Sequence, residues 1–395
     1  MLTDFKIAHH DLWNWCRAQD FAGYDPYDGL NSRLFQATPL KNLRTARLAW
    51  TQLFKRSPIN LRQLAGVTRE RNAKGIALFA LAALADYRRM GTREAEVEAH
   101  ALVDDLMSMR LKGFSGAAWG YNFDWQSRAF FARRDTPMIV PTAFAARALV
   151  EASRDLDNED YLRFARTACD FILNDLNRSE EASDEVCFSY SPFDKTRVFN
   201  ASLLAAEVLA TVGARTKEES LCDMATRAAR YVLRRQMADG SWAYGADSYQ
   251  KWSDSFHTAF ILVSLSRIVE SSESARDELE SAILRGYELW IERFFLANGW
   301  PKYFPDRLYP ADVHSAAAAI IALVELRGRI PGTMLLAEKI AEWAIDNLRD
   351  ARGFFYYQRW RFHTNRIPYM RWSEAWMSYA LARLLEAKDN KAGLV

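Results

Sequence analysis

Two kinds of helical pattern alternate along the chain. The stretches 142–153 (TAFAARALVEAS), 200–212 (NASLLAAEVLATV), 257–269 (HTAFILVSLSRIV), 314–326 (HSAAAAIIALVEL) and 374–387 (EAWMSYALARLLEA) each begin on a polar or acidic residue. They then run rich in alanine and leucine and are almost apolar all round, which marks buried helices. The stretches 159–176 and 221–237 instead place apolar residues three and four apart with charges between, as one-sided surface helices do.

Between the helical stretches lie aromatic, glycine-bearing segments: 23–31, 116–126, 187–194, 239–252, 298–310 and 352–372. From Trp119 to Phe188, Trp242, Trp300 and Phe355 the steps are 69, 54, 58 and 55 residues. Each step has room for two helices and their connections. Buried helices alternating with amphipathic ones predict an all-α fold, an (α/α)6 toroid in which an outer ring of helices wraps an inner ring. An open helical solenoid is the alternative. A closed toroid would bring all the aromatic loops to one end, around one funnel. No strand-length alternating run is bounded by hairpin turns, and no Pro-, Gly- or Ser-rich linker divides the chain. Residues 1–395 are therefore read as a single toroid domain.

Composition narrows the class. Half the residues are hydrophobic and 26% are charged, as in a globular protein. Charges nearly cancel, 52 Lys and Arg against 50 Asp and Glu, so nucleic acid is not an expected partner. The longest apolar run, Ile76 to Ala85, has 10 residues, half of the roughly 20 that a membrane-spanning helix needs. The start, MLTDFKIAHHDLWNW, carries acid and histidine where a signal peptide would be apolar. Four cysteines without a CxxC pair point to reduced thiols and a cytoplasmic protein. Nine Lys and Arg against one acid between Lys41 and Lys74 make a basic stretch, either a solvated face or one that leans on an anionic glycan or a membrane leaflet.

The 13 Trp, 16 Tyr and 23 Phe are the unusual feature. Rings set among Asp, Asn, Arg and His in loops suit a sugar, whose C–H faces stack on aromatics and whose hydroxyls need planar polar partners. Asp124 (NFDWQ), Asp254 with His257 (WSDSFHT), Asp312 with His314 (PADVHSA) and Glu374 (RWSEAW) are the acid and histidine candidates; each acid could equally cap a helix. Tyr27, Asp28, Trp119, Asn122, Arg128, Tyr190, Trp242, Tyr303 and Arg366 complete the expected lining. HxxxH and HExxH spacings are absent, so neither a metal nor another cofactor is expected.

The favoured reading is a hydrolase-like enzyme with Asp124 and Asp254 as the acid/base pair, about 5–10 Å apart across the scissile bond, and with His257 beside Asp254. A uronate lyase or epimerase is the alternative, with proton abstraction by His257, His314 or Tyr303 and the acid group neutralised by Arg128 or Arg366. A non-catalytic glycan-binding subunit is the third.

The segment ARYVLRRQMADGSW (229–242) resembles the repeat of squalene–hopene cyclases only at Gln236, Gly240 and Trp242, and the acidic DxDD motif is missing. A nearly full-length resemblance is to the VpsJ-like bacterial polysaccharide biosynthesis proteins. It is carried by GYDPYDGLNS (23–32), SPINLR (57–62), GYNFDWQSR (120–128), CFSYSPFD (187–194), QMADGSW (236–242), WSDSFHT (252–258), PKYF (301–304) and YPADVHSAA (309–317). That resemblance implies an α/α toroid related in architecture to unsaturated glucuronyl hydrolases and polysaccharide lyases. It also implies a role in bacterial surface or extracellular polysaccharide biosynthesis. The expected partner is an oligo- or polysaccharide, with lipid-linked and anionic forms both open.

Overall fold

The computed structural model describes residues 2–127 and 129–392. Its α-helices run α1 (Leu2–Ala18), α2 (Arg33–Gln36), α3 (Arg44–Arg56), α4 (Ala73–Met90), α5 (Arg93–Ser108), α6 (Ile139–Asp155), α7 (Glu159–Asn174), α8 (Phe199–Thr216), α9 (Glu219–Leu233), α10 (Ser255–Ile268), α11 (Arg276–Phe294), α12 (Val313–Glu325), α13 (Thr333–Leu348) and α14 (Ala375–Ala392). The helices α4, α6, α8, α10, α12 and α14 pack side by side in that order, and α14 closes back on α4. Outside them lie α5, α7, α9, α11 and α13, with α1 packed behind α14. The chain is an all-α (α/α)6 toroid, and the five apolar stretches each coincide with an inner helix, three of them overrunning it by one residue. The sixth inner helix, α4, contains the apolar run Ile76–Ala85. No helix among the described residues is long and apolar enough to cross a membrane.

Local chemistry explains the boundaries. Asn72, Asp254 and Asp312 cap α4, α10 and α12 by accepting the amides of Gly75, His257 and His314 at 2.7, 3.0 and 2.8 Å. Gly91, at φ 63°, ends α4 in the left-handed conformation that favours glycine. Connections from inner to outer helices are short. Those from outer to inner helices are long, so the aromatic loops gather at the N-terminal ends of the inner ring. The longest, residues 19–72, carries α2 and α3 and builds a small separate core of Phe54, Ala65 and Val67.

The opposite end of the axis is filled by charge. Arg88, Glu151, Glu207, Arg267, Glu325 and Arg383 with Glu386, one or more from each inner helix, form a continuous ion network. Its links include Arg147–Glu207, Arg267–Glu207 at 3.3 Å, Arg267–Glu325 at 3.0 Å and Arg88–Glu386 at 2.6 Å. Every member has a partner from a neighbouring helix, as buried charges require. A cavity of about 10 Å³ lined by Phe144, Phe260, Ile321 and Trp376 lies against Arg147, room for about one water.

Candidate active site

The second residues of the six inner helices are Lys74, Val140, Asn200, Phe256, His314 and Trp376. Phe256 and His314 are 4.5 Å apart between ring centroids, and His314 and Trp376 4.7 Å, so these positions meet around the axis. Asn200 Oδ1, both nitrogens of His314 and Trp376 Nε1 are buried without a hydrogen-bond partner. Such groups are rare in folded proteins, and those of His314 and Trp376 lie side by side where the N-terminal ends of the inner helices surround a candidate chamber.

His257 sits on the same wall. Asp254 accepts the His257 amide through Oδ1 and contacts the ring Nδ1 through Oδ2 at 2.7 Å. An ionised carboxylate can only accept, so Nδ1 carries the proton and Nε2 is left as the basic nitrogen. Both imidazoles pack on Phe256, His257 at 4.0 Å and His314 at 4.5 Å. Burial first, then the nearby charges of Lys74, His257 and Lys55, holds His314 well below the ordinary histidine range, so it is neutral at pH 7.

Lys74 lies opposite. It is 2% exposed, and its ammonium stands 4.0 Å over the Trp372 ring. Trp372 in turn meets His314 edge-on at 4.4 Å. Burial pulls the Lys74 ammonium down to about 8, against the opposing pull of Asp25. Asp25 has one carboxyl oxygen without a partner, and burial raises its pKa. The roof comes from residues 19–72. Tyr27 packs on Trp372 at 5.4 Å, and its hydroxyl accepts from Lys55 at 2.7 Å. A Cβ on Gly23 would lie 2.4 Å from that of Met370, so only glycine lets this loop seat against the π-helical turn Met370–Glu374.

The sequence-derived candidates separate into groups. Asp254, His257, His314, Tyr27 and Tyr303 gather around the chamber, Tyr303 packing on Phe256 at 5.5 Å, and Tyr190 packs on Trp125 at 5.5 Å beside it. Asp312 borders it as the α12 cap and accepts from Gln358 at 2.6 Å. Asp28 is a fully buried counter-ion bridging Arg62 and Arg371, and Asn122 accepts from Arg371 at 2.8 Å. Both tie the roof to the toroid.

Trp119 and Trp242 lie in the wall. Their indole N–H groups donate to Leu106 and Val232, at the ends of outer helices, at 2.8 and 3.1 Å. Glu374 accepts the Phe355 amide at 2.9 Å, the role that Thr142 plays for Trp119 and Ser202 for Phe188. Its charge acts on Cys16 of α1, so it faces the space between the rings. Asp124 accepts the Arg134 amide at 2.8 Å and the Gln36 side chain at 3.3 Å, in contact with the roof. Arg366 is exposed and stacks on Tyr356. Arg128 lies outside the described residues. Lys74, Asp25, Lys55, Tyr121, Tyr244 and Trp372 were not anticipated. The one available signal was Lys74, the last cation of the basic stretch, two residues before the most apolar run.

No family model matches this sequence, and no curated protein sequence is similar to it. Solved structures are. One is the cellobiose 2-epimerase of Bacillus thermoamylovorans, with a TM-score of 0.65 at 12% identity over 81% of this chain and 88% of that one. Another is the GH76 α-mannanase of Bacteroides thetaiotaomicron, at 0.63 and 14% over 84% and 89%. A third is an unsaturated glucuronyl hydrolase specific for heparin, at 0.58 and 13% over 80% and 86%. This chain shares their toroid. At such identity the likeness concerns the fold alone, and one fold carries several chemistries here. Among the described residues no three of His, Cys, Asp and Glu come together as a metal site would need.

Proposed function

We propose that the protein is a sugar-processing enzyme that moves a proton at a carbon next to a carbonyl or carboxylate, as an epimerase or isomerase does. The observation that carries this reading is the pair of imidazoles on one Phe256 ring, His257 oriented by Asp254 and His314 held neutral. One neutral imidazole can remove the C–H proton, and the imidazolium so formed can exchange with solvent and return a proton to the same or the neighbouring carbon. The ammonium of Lys74, across the Trp372 ring from His314, is the group available to stabilise negative charge on an enolate oxygen.

The carboxylate-pair reading is less well supported, because Asp124 is engaged by a backbone amide and Gln36 and nothing orients it toward a ligand. The family resemblance supports a role in bacterial surface-polysaccharide biosynthesis, and four free cysteines fit a reducing cytoplasm. The test is incubation in D2O with free sugars and uronates, read by proton NMR. Deuterium uptake at one carbon without cleavage is the expected result. Release of a reducing end with no exchange would restore the hydrolase reading.

A further inference from the structure

The roof segment has an outer surface unlike the rest of the molecule. From residue 29 to 69 there is no acid, and eight cations fall between 33 and 69: Arg33, Lys41, Arg44, Arg47, Lys55, Arg56, Arg62 and Arg69. Arg33, Lys41, Arg44, Arg56 and Arg69 are exposed. Among the described residues, seventeen large hydrophobic side chains are exposed, and six of them lie within 34–64: Leu34, Leu40, Leu43, Leu53, Ile59 and Leu64, the last at 81%. Single exposed leucines are ordinary; a third of them concentrated in one short segment is not. The segment does not lack a core of its own, since Phe54, Ala65 and Val67 are buried beneath it with Trp50 and Leu61. The exposed residues are thus surplus to its packing.

We infer that this roof is a docking surface for an anionic lipid bilayer, with the aliphatic side chains entering the interface and the cations meeting lipid phosphates. Charge complementarity selects this occupant: aliphatic tips interleaved with cations, without any acid, match a negatively charged interface. A protein partner offering a dry apolar face would strip water from the exposed cations without supplying counter-charge. The same segment carries Tyr27 and Lys55, which cover the chamber. Docking therefore holds the end of the toroid that carries the candidate site at the membrane surface, near a glycan attached to a lipid.

The test is co-sedimentation of the full chain with vesicles of phosphatidylcholine alone and of phosphatidylcholine with about a third phosphatidylglycerol, at low and high salt. Binding is expected only to the anionic vesicles and is expected to weaken with salt. It should fall at least tenfold both in the triple variant Leu40→Ser, Leu43→Ser, Leu64→Ser and in Lys41→Glu, Arg44→Glu, Arg56→Glu. A control with Leu284→Ser and Leu335→Ser, exposed on outer helices, should bind as the parent does. Thermal melts matching the parent's show that each variant folds. The inference is overturned if the parent ignores anionic vesicles. It is equally overturned if the leucine variant binds them fully, which would leave only non-specific attraction to polyanions.

Discussion

Replacing Lys74 by Met separates the two things a buried lysine can be. A structural lysine is paired, and its loss destabilises; a lysine kept for a ligand is a burden on the empty fold. Here the ammonium is 2% exposed and contacts rings rather than carboxylates. Its pKa is lowered from 10.5 to about 8, which corresponds to about 3 kcal/mol of unfavourable charge burial. Below pH 8 both folded and unfolded states are protonated, and the full penalty is present. Between pH 8 and 10.5 the folded state loses its proton first and the penalty shrinks; above 10.5 it is gone. Lys74→Met, similar in length and uncharged, should therefore raise stability at pH 7 by up to about 3 kcal/mol, with the gain fading as pH climbs past 8. Equilibrium urea unfolding followed by circular dichroism at pH 7 and pH 10 measures it. The same variant should lose deuterium exchange on sugars. A variant less stable than the parent at pH 7 would refute the argument, because Lys74 would then be a net ion-pair partner of Asp25.

Asp254→Asn keeps the α10 cap but reverses the group facing His257 Nδ1, so turnover should fall roughly 10²- to 10⁴-fold while unfolding free energy moves by less than about 0.5 kcal/mol. His314→Asn should abolish exchange. Because the parent's His314 titrates well below its unfolded value, parent stability should decline as pH falls below about 6.5, and the variant should lose that component in urea titrations at pH 5 and 7. Glu374 is held protonated by burial, far above the ordinary carboxyl range. Its contribution is full below about 4.3 and erodes as pH rises, so Glu374→Gln should match the parent at pH 4, exceed it in stability at pH 7, and leave turnover intact.

The inner helices were legible because alanine–leucine runs without a polar face have one home in a toroid, its inner ring. The helix α4 was harder to recognise, since no aromatic loop of the same spacing precedes it; the 54-residue connection 19–72 does. The charged base escaped notice for a different reason. Glu207 and Arg267 read as stray charges in apolar stretches, and only the neighbouring helix reveals that each is paired. Trp119 and Trp242 misled in the opposite direction. They look like sugar platforms, yet an aromatic that recurs at the same place in successive repeats is doing what all repeats need, pinning a loop to the end of an outer helix.

The contrast between repeats is the better guide to the site. Thr142, Ser202 and Glu374 differ in chemistry but accept the same loop amide, so they belong to the architecture. The second residues of the inner helices share a position and nothing else: lysine, valine, asparagine, phenylalanine, histidine and tryptophan. Packing alone would favour apolar side chains there, as it does a turn further along each helix. Instead His314 and Trp376, whose ring nitrogens have no hydrogen-bond partner, meet at this end of the axis, while ion pairs fill the other. Leaving a buried polar group unpaired costs about 1–3 kcal/mol, and several are left at one level. A polar ligand bound at this level would complete them, which is what the proposed sugar-processing reading requires.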